Sequence, residues 1–285
     1  MTKRGWGLNI FHAVLLGAVE GFTEFLPVSS TGHLTILEKL LGYTIDDPDI
    51  TAFTAIIQSG AVLATVLFLR KDIWRIITGW LRGLTSAAHR DHQDYRFGWA
   101  VILGSIPIGI VGLLFQDLIT GTLRSLWFVA GALILWSFVM WFADHAATGV
   151  RHVEDVTWKD TLVIGLVQCL ALIPGISRSG ATMSAGLLRD LDRVTVTKLS
   201  FFLSIPALLG ASVLQTVTEY DNISGGVGWA ATITATVVSF VVGYAAVAWL
   251  LKFIAKHTYS VFIVYRVVLG CVLLGLLSAN VIEPV

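Results

Sequence analysis

Six uninterrupted apolar stretches constrain this chain more than any other feature of its sequence. They cover residues 52–70, 98–116, 125–143, 198–216, 228–251 and 261–279. Each is long enough to cross a hydrocarbon core about 30 Å thick, which takes roughly 20 helical residues. Because a helix satisfies its backbone hydrogen bonds internally, apolar stretches of this length are typical of transmembrane helices. The sequence therefore predicts an all-α polytopic membrane protein with six full spans.

The composition agrees with a membrane location. Of the 285 residues, 55% are hydrophobic and 13% are charged, and the mean hydropathy is +0.79. A soluble domain could not bury that much apolar surface. The formal net charge is zero without a basic or acidic block, so we expect no nucleic acid partner. Cys169 and Cys271 lie in apolar stretches without a metal-binding spacing and are interpreted as small apolar residues.

Two further apolar segments, 8–41 and 160–190, are interrupted. LPVSSTGH interrupts the first and IPGISRSG the second, and in each a proline precedes small and hydroxyl residues. Proline disfavours a continuous helix. A broken helix within a bilayer is tolerated where it is buried in protein or lines a wet cavity. Each segment therefore predicts a re-entrant helical hairpin.

The two interrupted segments belong to an internal repeat. An offset of 148 residues aligns VEGFTEFLPVSSTG (19–32) with VQCLALIPGISRSG (167–180), and three spans follow each segment. Three is an odd number, so the second half must have the opposite orientation to the first. Such inverted repeats bring broken helices together near the bilayer midplane. We expect a single membrane domain over 1–285, with one repeat at about 8–143 and the other at about 160–279.

The positions of Lys and Arg predict the orientation of the chain, because cytoplasmic loops are enriched in both. If loop 71–97 is cytoplasmic, thirteen basic residues lie on that side and four lie outside, namely Lys3, Arg4, Lys39 and Arg124. Both termini are then outside, the first hairpin opens outward and the second inward. Arg178 and Arg266 lie at membrane depth, which makes each a candidate for function. Arg266 is either a structural counter-ion or a far wall of the site.

The first interrupted segment carries Glu20 and Glu24, four residues apart on one helix face. Two carboxylates in apolar surroundings bind a cation, share a proton or face an opposite charge. The alternative is an isolated pair that reaches the membrane interface. His33 follows the break and the hydroxyl run 29–31, where it is either a catalyst or a hydrogen-bonded structural residue.

The second interruption combines the guanidinium of Arg178 with the hydroxyls of Ser177, Ser179 and Thr182 at the start of a helix. Helix N-termini bind anions, and Arg adds a forked set of donors, so the segment predicts a phosphate site. The alternative is a serine-rich helix cap in which Arg178 only neutralises the glutamates.

Together the two interruptions suit phosphoryl transfer. The carboxylates would hold a divalent metal, the Arg and the backbone amides would neutralise phosphoryl charge, and His33 would move a proton. A transporter or lipid flippase is a competing hypothesis, since inverted repeats with broken helices are common in transporters. An enzyme acting on another lipid phosphate, such as phosphatidic acid, is a third.

GAVEGFTEFLPVSSTGHL (17–34) and PGISRSGAT (174–182) closely resemble the signature motifs of bacterial undecaprenyl-pyrophosphate phosphatases, also called bacitracin-resistance proteins. The likeness extends to 55–72, 199–212 and the pair Tyr265-Arg266. It implies a multi-pass enzyme of the bacterial plasma membrane that removes the terminal phosphate of undecaprenyl pyrophosphate and regenerates the lipid carrier for peptidoglycan. It also implies bacitracin resistance and a site that opens to the outer face. The outward opening agrees with the predicted topology.

The resemblance also implies roles for individual residues and for a divalent cation, magnesium or calcium. Those roles are metal-linked acids for Glu20 and Glu24, a catalytic pair for Ser30 and His33, and pyrophosphate binding for Ser177, Arg178 and Thr182. The attacking group is Ser30, His33 or a metal-bound water, and the sequence does not choose between them. It also does not decide whether the protein forms a homodimer. In the second repeat Gln168 and Leu172 replace the two glutamates, so a single composite site follows.

Overall fold

The computed structural model describes residues 8–44, 47–115 and 125–284. Apart from one isolated bridge between Arg151 and Leu191, the regular structure of these residues is helical. The α-helices are α1 (Ile10–Thr23), α2 (Ser30–Leu40), α3 (Pro48–Phe68), α4 (Arg70–Thr85), α5 (Gln93–Leu114), α6 (Leu126–Ala146), α7 (Trp158–Gln168), α8 (Arg178–Leu187), α9 (Arg193–Thr218), α10 (Tyr220–Gly225), α11 (Trp229–Ile254) and α12 (Ser260–Ser278).

Six of these helices are long and apolar enough to cross a membrane: α3, α5, α6, α9, α11 and α12. They coincide with the six apolar stretches, which confirms that prediction. Several begin earlier than the apolar pattern because polar caps extend them. Asp192, for example, accepts hydrogen bonds from the backbone N–H groups of Val194 and Thr195 and starts α9 at Arg193. Of the basic residues used for the orientation, Lys3, Arg4 and Arg124 lie outside the described residues.

Each interrupted segment forms two short helices separated by a non-helical turn. The first segment forms α1 and α2, and the second forms α7 and α8, with a 3₁₀ turn at Cys169–Leu172 after α7. The helix breaks therefore lie where the proline-containing motifs predicted them.

The short helices pack deep among the long ones, and backbones cross closely at glycines. α1 lies against α11, where a side chain at Gly17 would come within 2.4 Å of the carbonyl oxygen of Ala235. α7 lies against α5, where a side chain at Gly165 would come within 2.0 Å of the carbonyl oxygen of Gly104. Only glycine permits these approaches, which let α1 and α7 reach the interior.

Segment 71–97, which the charge pattern suggested as a loop, is largely helical. It contains α4 and the beginning of α5, joined by a 3₁₀ turn at Ala87–His89. Its charged residues are spaced along a helix whose apolar residues occupy other faces, so high charge here marks an amphipathic helix.

Ion pairs fasten one end of the molecule. The fully buried carboxylate of Asp160 at the start of α7 binds Arg151 at 2.7 Å and Arg189 at 2.9 Å. Asp144 at the end of α6 binds Arg193 at 2.6 Å and accepts the backbone N–H of Tyr259 at 3.0 Å. These contacts join the connections before α7, after α8 and before α12.

Candidate functional site

The two helix breaks share an uncommon backbone turn. Ser29 before α2 has a φ of 74°, and Ser177 before α8 has a φ of 76°. A positive φ is unfavourable for a residue with a side chain, yet each serine accepts a hydrogen bond that caps the helix it precedes. Ser29 Oγ accepts from the backbone N–H of Gly32 at 3.3 Å, and Ser177 Oγ from that of Gly180 at 3.2 Å. The breaks are thus built alike, 148 residues apart.

Arg266 of α12 binds both breaks at once. Its guanidinium donates to the carbonyl oxygens of Pro27 at 3.3 Å and Gly175 at 2.9 Å, which occupy equivalent positions of the two breaks. It also donates to Ser137 Oγ at 3.2 Å and to the Leu133 carbonyl oxygen at 3.4 Å. Arg266 is fully buried, and within the described ranges no carboxylate forms an ion pair with it. Arg266 therefore binds backbone carbonyl oxygens of the two breaks. It is neither a counter-ion nor part of the cavity wall.

Glu24 lies at the centre of the site, directly after α1. One of its oxygens binds Arg178 Nη2 at 2.9 Å, and the other accepts a very short hydrogen bond from the hydroxyl of Ser30. All three side chains are at least nine-tenths shielded from solvent. Arg178 also lies over the ring of Phe25, 5.5 Å from its centre. An acid, a hydroxyl and a guanidinium from the two interrupted segments thus form one continuous chain.

Glu20 lies one helical turn before Glu24 and is fully buried. It is near enough to Glu24 and Arg178 to interact with both electrostatically. No N–H or hydroxyl group in the described part of the chain donates to either Glu20 oxygen. Buried carboxylate oxygens normally have partners, so this pair of acids is suited to a proton or a cation.

The two glutamates are suited to an ion such as magnesium, which needs few protein ligands. They are less suited to a metal that is coordinated by protein side chains alone. The described residues contain no group of three or more His, Cys, Asp and Glu side chains that could hold a metal. Magnesium is commonly held by one or two carboxylates, with water and substrate phosphate as its other ligands. Glu20 and Glu24 supply that number of carboxylates, and Glu24 lines the cavity.

A cavity of about 290 Å³ opens beside this chain of groups. Its lining includes Glu24, Ser30, Ser177 and Arg178, which come from the two interrupted segments. The rest of the lining comes from α3 (Thr51, Thr54, Gln58), from α9 (Leu208, Gln215) and from the apolar residues Ile108 and Leu172. The arrangement combines anion-binding groups with an apolar wall in one compartment.

Gln58 is a cavity residue that the sequence reasoning missed. It shares one face of α3 with Thr51 and Thr54, at helical spacing. Among the described residues, its amide makes no hydrogen bond to protein. A primary amide inside a predicted span is unusual in apolar surroundings, and this signal alone could have identified the position.

Ser179 and Thr182 are close to the site but do not line the cavity. Ser179 Oγ donates to the carbonyl oxygen of Leu26 at 2.8 Å and so ties α8 to the first break. Thr182 Oγ1 lies 2.9 Å from the carbonyl oxygen of Arg178 and 2.7 Å from Ser200 Oγ of α9. Both hydroxyls therefore already have protein partners.

The structure does not bring His33 to Ser30. His33 Nδ1 lies 2.7 Å from the carbonyl oxygen of Ser29, and Nε2 lies 2.6 Å from the hydroxyl of Tyr265, whose ring is stacked on the imidazole. A carbonyl only accepts, so Nδ1 carries the proton and Nε2 accepts from Tyr265. His33 does not line the cavity, and the group next to Ser30 is Glu24.

Comparison with known proteins gives consistent matches. The family model described as Bacitracin resistance protein BacA matches residues 13–272. "Undecaprenyl-diphosphatase 3" of Frankia casuarinae is 70% identical over 276 residues, covering 97% of this chain and 99% of the relative. "Undecaprenyl-diphosphatase" of Cutibacterium acnes is 54% identical, covering 96% and 99%. "Undecaprenyl-diphosphatase 1" of Streptomyces coelicolor is 52% identical, covering 97% and 99%.

Proposed function

Because the chain belongs to the BacA family of bacitracin resistance proteins, we propose that it hydrolyses undecaprenyl pyrophosphate to undecaprenyl phosphate and inorganic phosphate. The reaction returns the lipid carrier to peptidoglycan synthesis and lowers sensitivity to bacitracin. The relatives named undecaprenyl-diphosphatase support the substrate. The observation that carries the chemistry is the chain from Ser30 through Glu24 to Arg178 at the wall of the cavity.

In the proposed reaction Ser30 is the nucleophile and Glu24 the base. Ser30 Oγ attacks the terminal phosphorus, its proton passes to the Glu24 oxygen that it already contacts, and the bond to the bridging oxygen breaks. Undecaprenyl phosphate leaves with the electron pair of that bond. Glu24 passes the proton it received to the departing undecaprenyl phosphate and becomes a carboxylate again. Water then attacks the phosphoserine, and its proton passes to Glu24. Glu24 gives that proton to Ser30 Oγ as the bond between Oγ and phosphorus breaks, which releases inorganic phosphate and restores the Ser30 hydroxyl.

Arg178 and Ser177 bind the phosphoryl oxygens in this proposal. Both line the cavity, and Arg178 is held in place by Glu24 and by the ring of Phe25. A guanidinium is permanently charged, so it stabilises the negative charge that develops in the transition state. Ser179 and Thr182 support the turn from behind, through the contacts to Leu26 and Ser200.

Glu20 and Glu24 would hold a divalent cation, magnesium or calcium. The bound cation would neutralise charge on the diphosphate oxygens and so favour departure of the lipid phosphate. The buried Glu20 oxygens without a donor support this assignment. Glu24 then has two roles in the proposal. It would help to hold the cation, and it receives the proton of Ser30.

Different residues of the cavity contact the diphosphate end and the isoprenoid end of the lipid. Gln58 of α3 faces the diphosphate and donates to its oxygens, while Leu172, Leu208 and Ile108 contact the first isoprene units. An amide without a protein partner is suited to this role, because its two N–H groups remain available.

An inverted repeat with two re-entrant hairpins places the site near the bilayer midplane. The equal turns at Ser29 and Ser177 support it. The helix contacts support it too, since α1 packs on α11 of the second half as α7 packs on α5 of the first. The distribution of basic residues orients the mouth of the site to the outer face.

Phosphate release by the purified protein in detergent, with magnesium and undecaprenyl pyrophosphate, tests this function. Release that disappears in Ser30→Ala, together with a phosphoserine trapped in single turnover of the unmodified protein, is expected. Absence of release from a folded protein that still binds the lipid would favour translocation over hydrolysis. Release without an adduct, retained in Ser30→Ala, would assign the attack to water.

A further inference from the structure

Helix α4 has three chemically distinct sides. The first packs on the beginning of α5, where a side chain at Gly83 would come within 2.1 Å of the ring of Tyr95 and one at Gly79 within 2.5 Å of Asp94. Ile76 is buried on this side. At 100° per residue, the remaining two-thirds of the helix circumference faces away from the protein.

The second side is apolar and exposed. Its residues are spaced by three or four along the helix and expose between 43% and 71% of their surface: Trp74, Ile77, Leu81 and Leu84. Large apolar side chains aligned in this way mark a contact surface rather than scattered exposure. Nothing else in the described part of the chain covers them.

The third side is polar and basic, with Lys71, Arg75 and Arg82 spaced along it. Arg75 is paired with Asp94 at 3.2 Å. Lys71 and Arg82 are exposed, and neither forms an ion pair with another described residue. A helix with an apolar side next to a basic side is typical of peptides that lie in a membrane interface.

The position of α4 in the chain places it at the membrane surface. The spanning helix α3 ends at Phe68 and α4 begins at Arg70, with Leu69 serving both helices as a cap residue. The next span, α5, starts after the short turn at Ala87–His89. α4 therefore connects two spans at the same face of the membrane, where its apolar side can meet acyl chains and its basic side headgroups.

We propose that α4 lies in the membrane interface and binds anionic phospholipids, with Trp74, Ile77, Leu81 and Leu84 inserted and Lys71 and Arg82 on the headgroup phosphates. This surface is separate from the cavity, whose lining includes no residue of α4. Each exposed cation at an anionic surface contributes about 1 kcal/mol of attraction, which corresponds to roughly a fivefold preference.

Tryptophan quenching in nanodiscs tests the proposal. The full chain is reconstituted in phosphatidylcholine nanodiscs that contain a small fraction of either phosphatidylglycerol or phosphatidylcholine with brominated acyl chains. Comparison with Trp74→Leu, which keeps the apolar side, isolates the signal of Trp74. We expect Trp74 to be quenched by both lipids and more by the brominated phosphatidylglycerol. In a Lys71→Gln/Arg82→Gln variant the phosphatidylglycerol preference should fall roughly fivefold for each charge removed.

The matched control is Lys252→Gln/Lys256→Gln, which removes two exposed cations near the end of α11 and should leave the preference at Trp74 unchanged. Absence of quenching of Trp74 would overturn the insertion of α4, as would burial of this side against a second copy of the chain. Equal phosphatidylglycerol preference in the unmodified protein and the Lys71→Gln/Arg82→Gln variant would overturn the assignment of headgroup binding to these cations.

Discussion

At the scale of single residues, substitutions of Gln58 distinguish an effect on substrate binding from an effect on catalysis. It lines the same cavity as Glu24 and Ser30, and no described protein group satisfies its amide. Gln58→Leu removes the donors, and Gln58→Glu adds a negative charge that repels the diphosphate. We expect KM to rise roughly tenfold for Leu and further for Glu, with a smaller effect on kcat.

The matched control for Gln58 is Ser59→Ala on the same helix. The Ser59 hydroxyl donates to the carbonyl oxygen of Ile56 at 2.6 Å and does not line the cavity. Its KM in the phosphate-release assay should equal that of the unmodified protein. Equal KM values for Gln58→Leu and Gln58→Glu would show that the amide does not face an anion.

His33 supports the first break through the carbonyl of Ser29. His33→Asn keeps an N–H donor near Nδ1, whereas His33→Ala has none, so we expect the Asn variant to retain at least tenfold more activity. Thermal unfolding in detergent controls for folding. A catalytic base would give the opposite pattern, in which both variants are equally inactive, because an amide cannot accept a proton at neutral pH.

At the scale of structural elements, the two breaks are set relative to each other by Arg266. Arg266→Lys keeps the charge but not the fork that reaches Pro27 and Gly175 together. The Ser30 side and the Arg178 side of the site should then lose alignment. We expect kcat to fall more than tenfold while KM, which depends also on Gln58 of α3, changes less.

Ser137→Ala is the control for Arg266, since it removes one acceptor and leaves both carbonyl contacts in place. It should retain most of the activity. If Arg266→Lys is folded and as active as the unmodified protein, Arg266 does not align the breaks. If Arg266→Lys does not fold while Ser137→Ala is folded and active, the role of Arg266 is structural only.

The elements themselves followed closely from sequence patterns. The six spans and both breaks were predicted, because apolar length and a proline motif are local signals. α4 was not, because its charges resembled those of a loop until their helical spacing was considered. The partner of His33 could not be predicted either, since Tyr265 lies 232 residues away and only tertiary packing brings it close.

At the scale of the whole molecule, one end is held by buried charge. Asp160 receives hydrogen bonds from Arg151, Arg189 and Thr157 and is fully buried. Asp160→Asn would leave two guanidinium groups with weaker partners. Loss of such a buried partner lowers the free energy of unfolding by about 3 kcal/mol, or somewhat less where the arginines are partly exposed. We expect a clear decrease of the unfolding temperature, measured in detergent.

The Asp160→Asn effect should be confined to stability. The residue lies in neither the cavity nor the contacts of Glu24, so the folded fraction should keep its kcat at low temperature. Asp91→Asn is a suitable control, because that side chain is 95% exposed and its pair with Arg96 contributes little. Equal unfolding temperatures for the two variants would contradict the role of the buried carboxylate.

Assembly of one site from two distant interrupted segments could be predicted only in outline. The repeat indicated that the breaks meet, but which side chains touch depends on packing. Thus Glu24 and Arg178 were expected in one site and are in contact, whereas His33 was expected beside Ser30 and instead contacts Tyr265. Likeness to a family supplied the identity of the groups, and geometry supplied their partners.

A double-mutant cycle on Glu24 and Arg178 tests the central claim most directly. Steady-state phosphate release is measured for the unmodified protein, Glu24→Gln, Arg178→Ala and the double variant, with folding checked by thermal unfolding. Because the two groups are 2.9 Å apart and the proposed reaction has them act on one phosphoryl group, each single change should lower kcat/KM at least a hundredfold. The double variant should lose little beyond the more affected single variant. Losses that multiply, or single variants with near-unmodified activity, would contradict a composite site formed by the two interrupted segments.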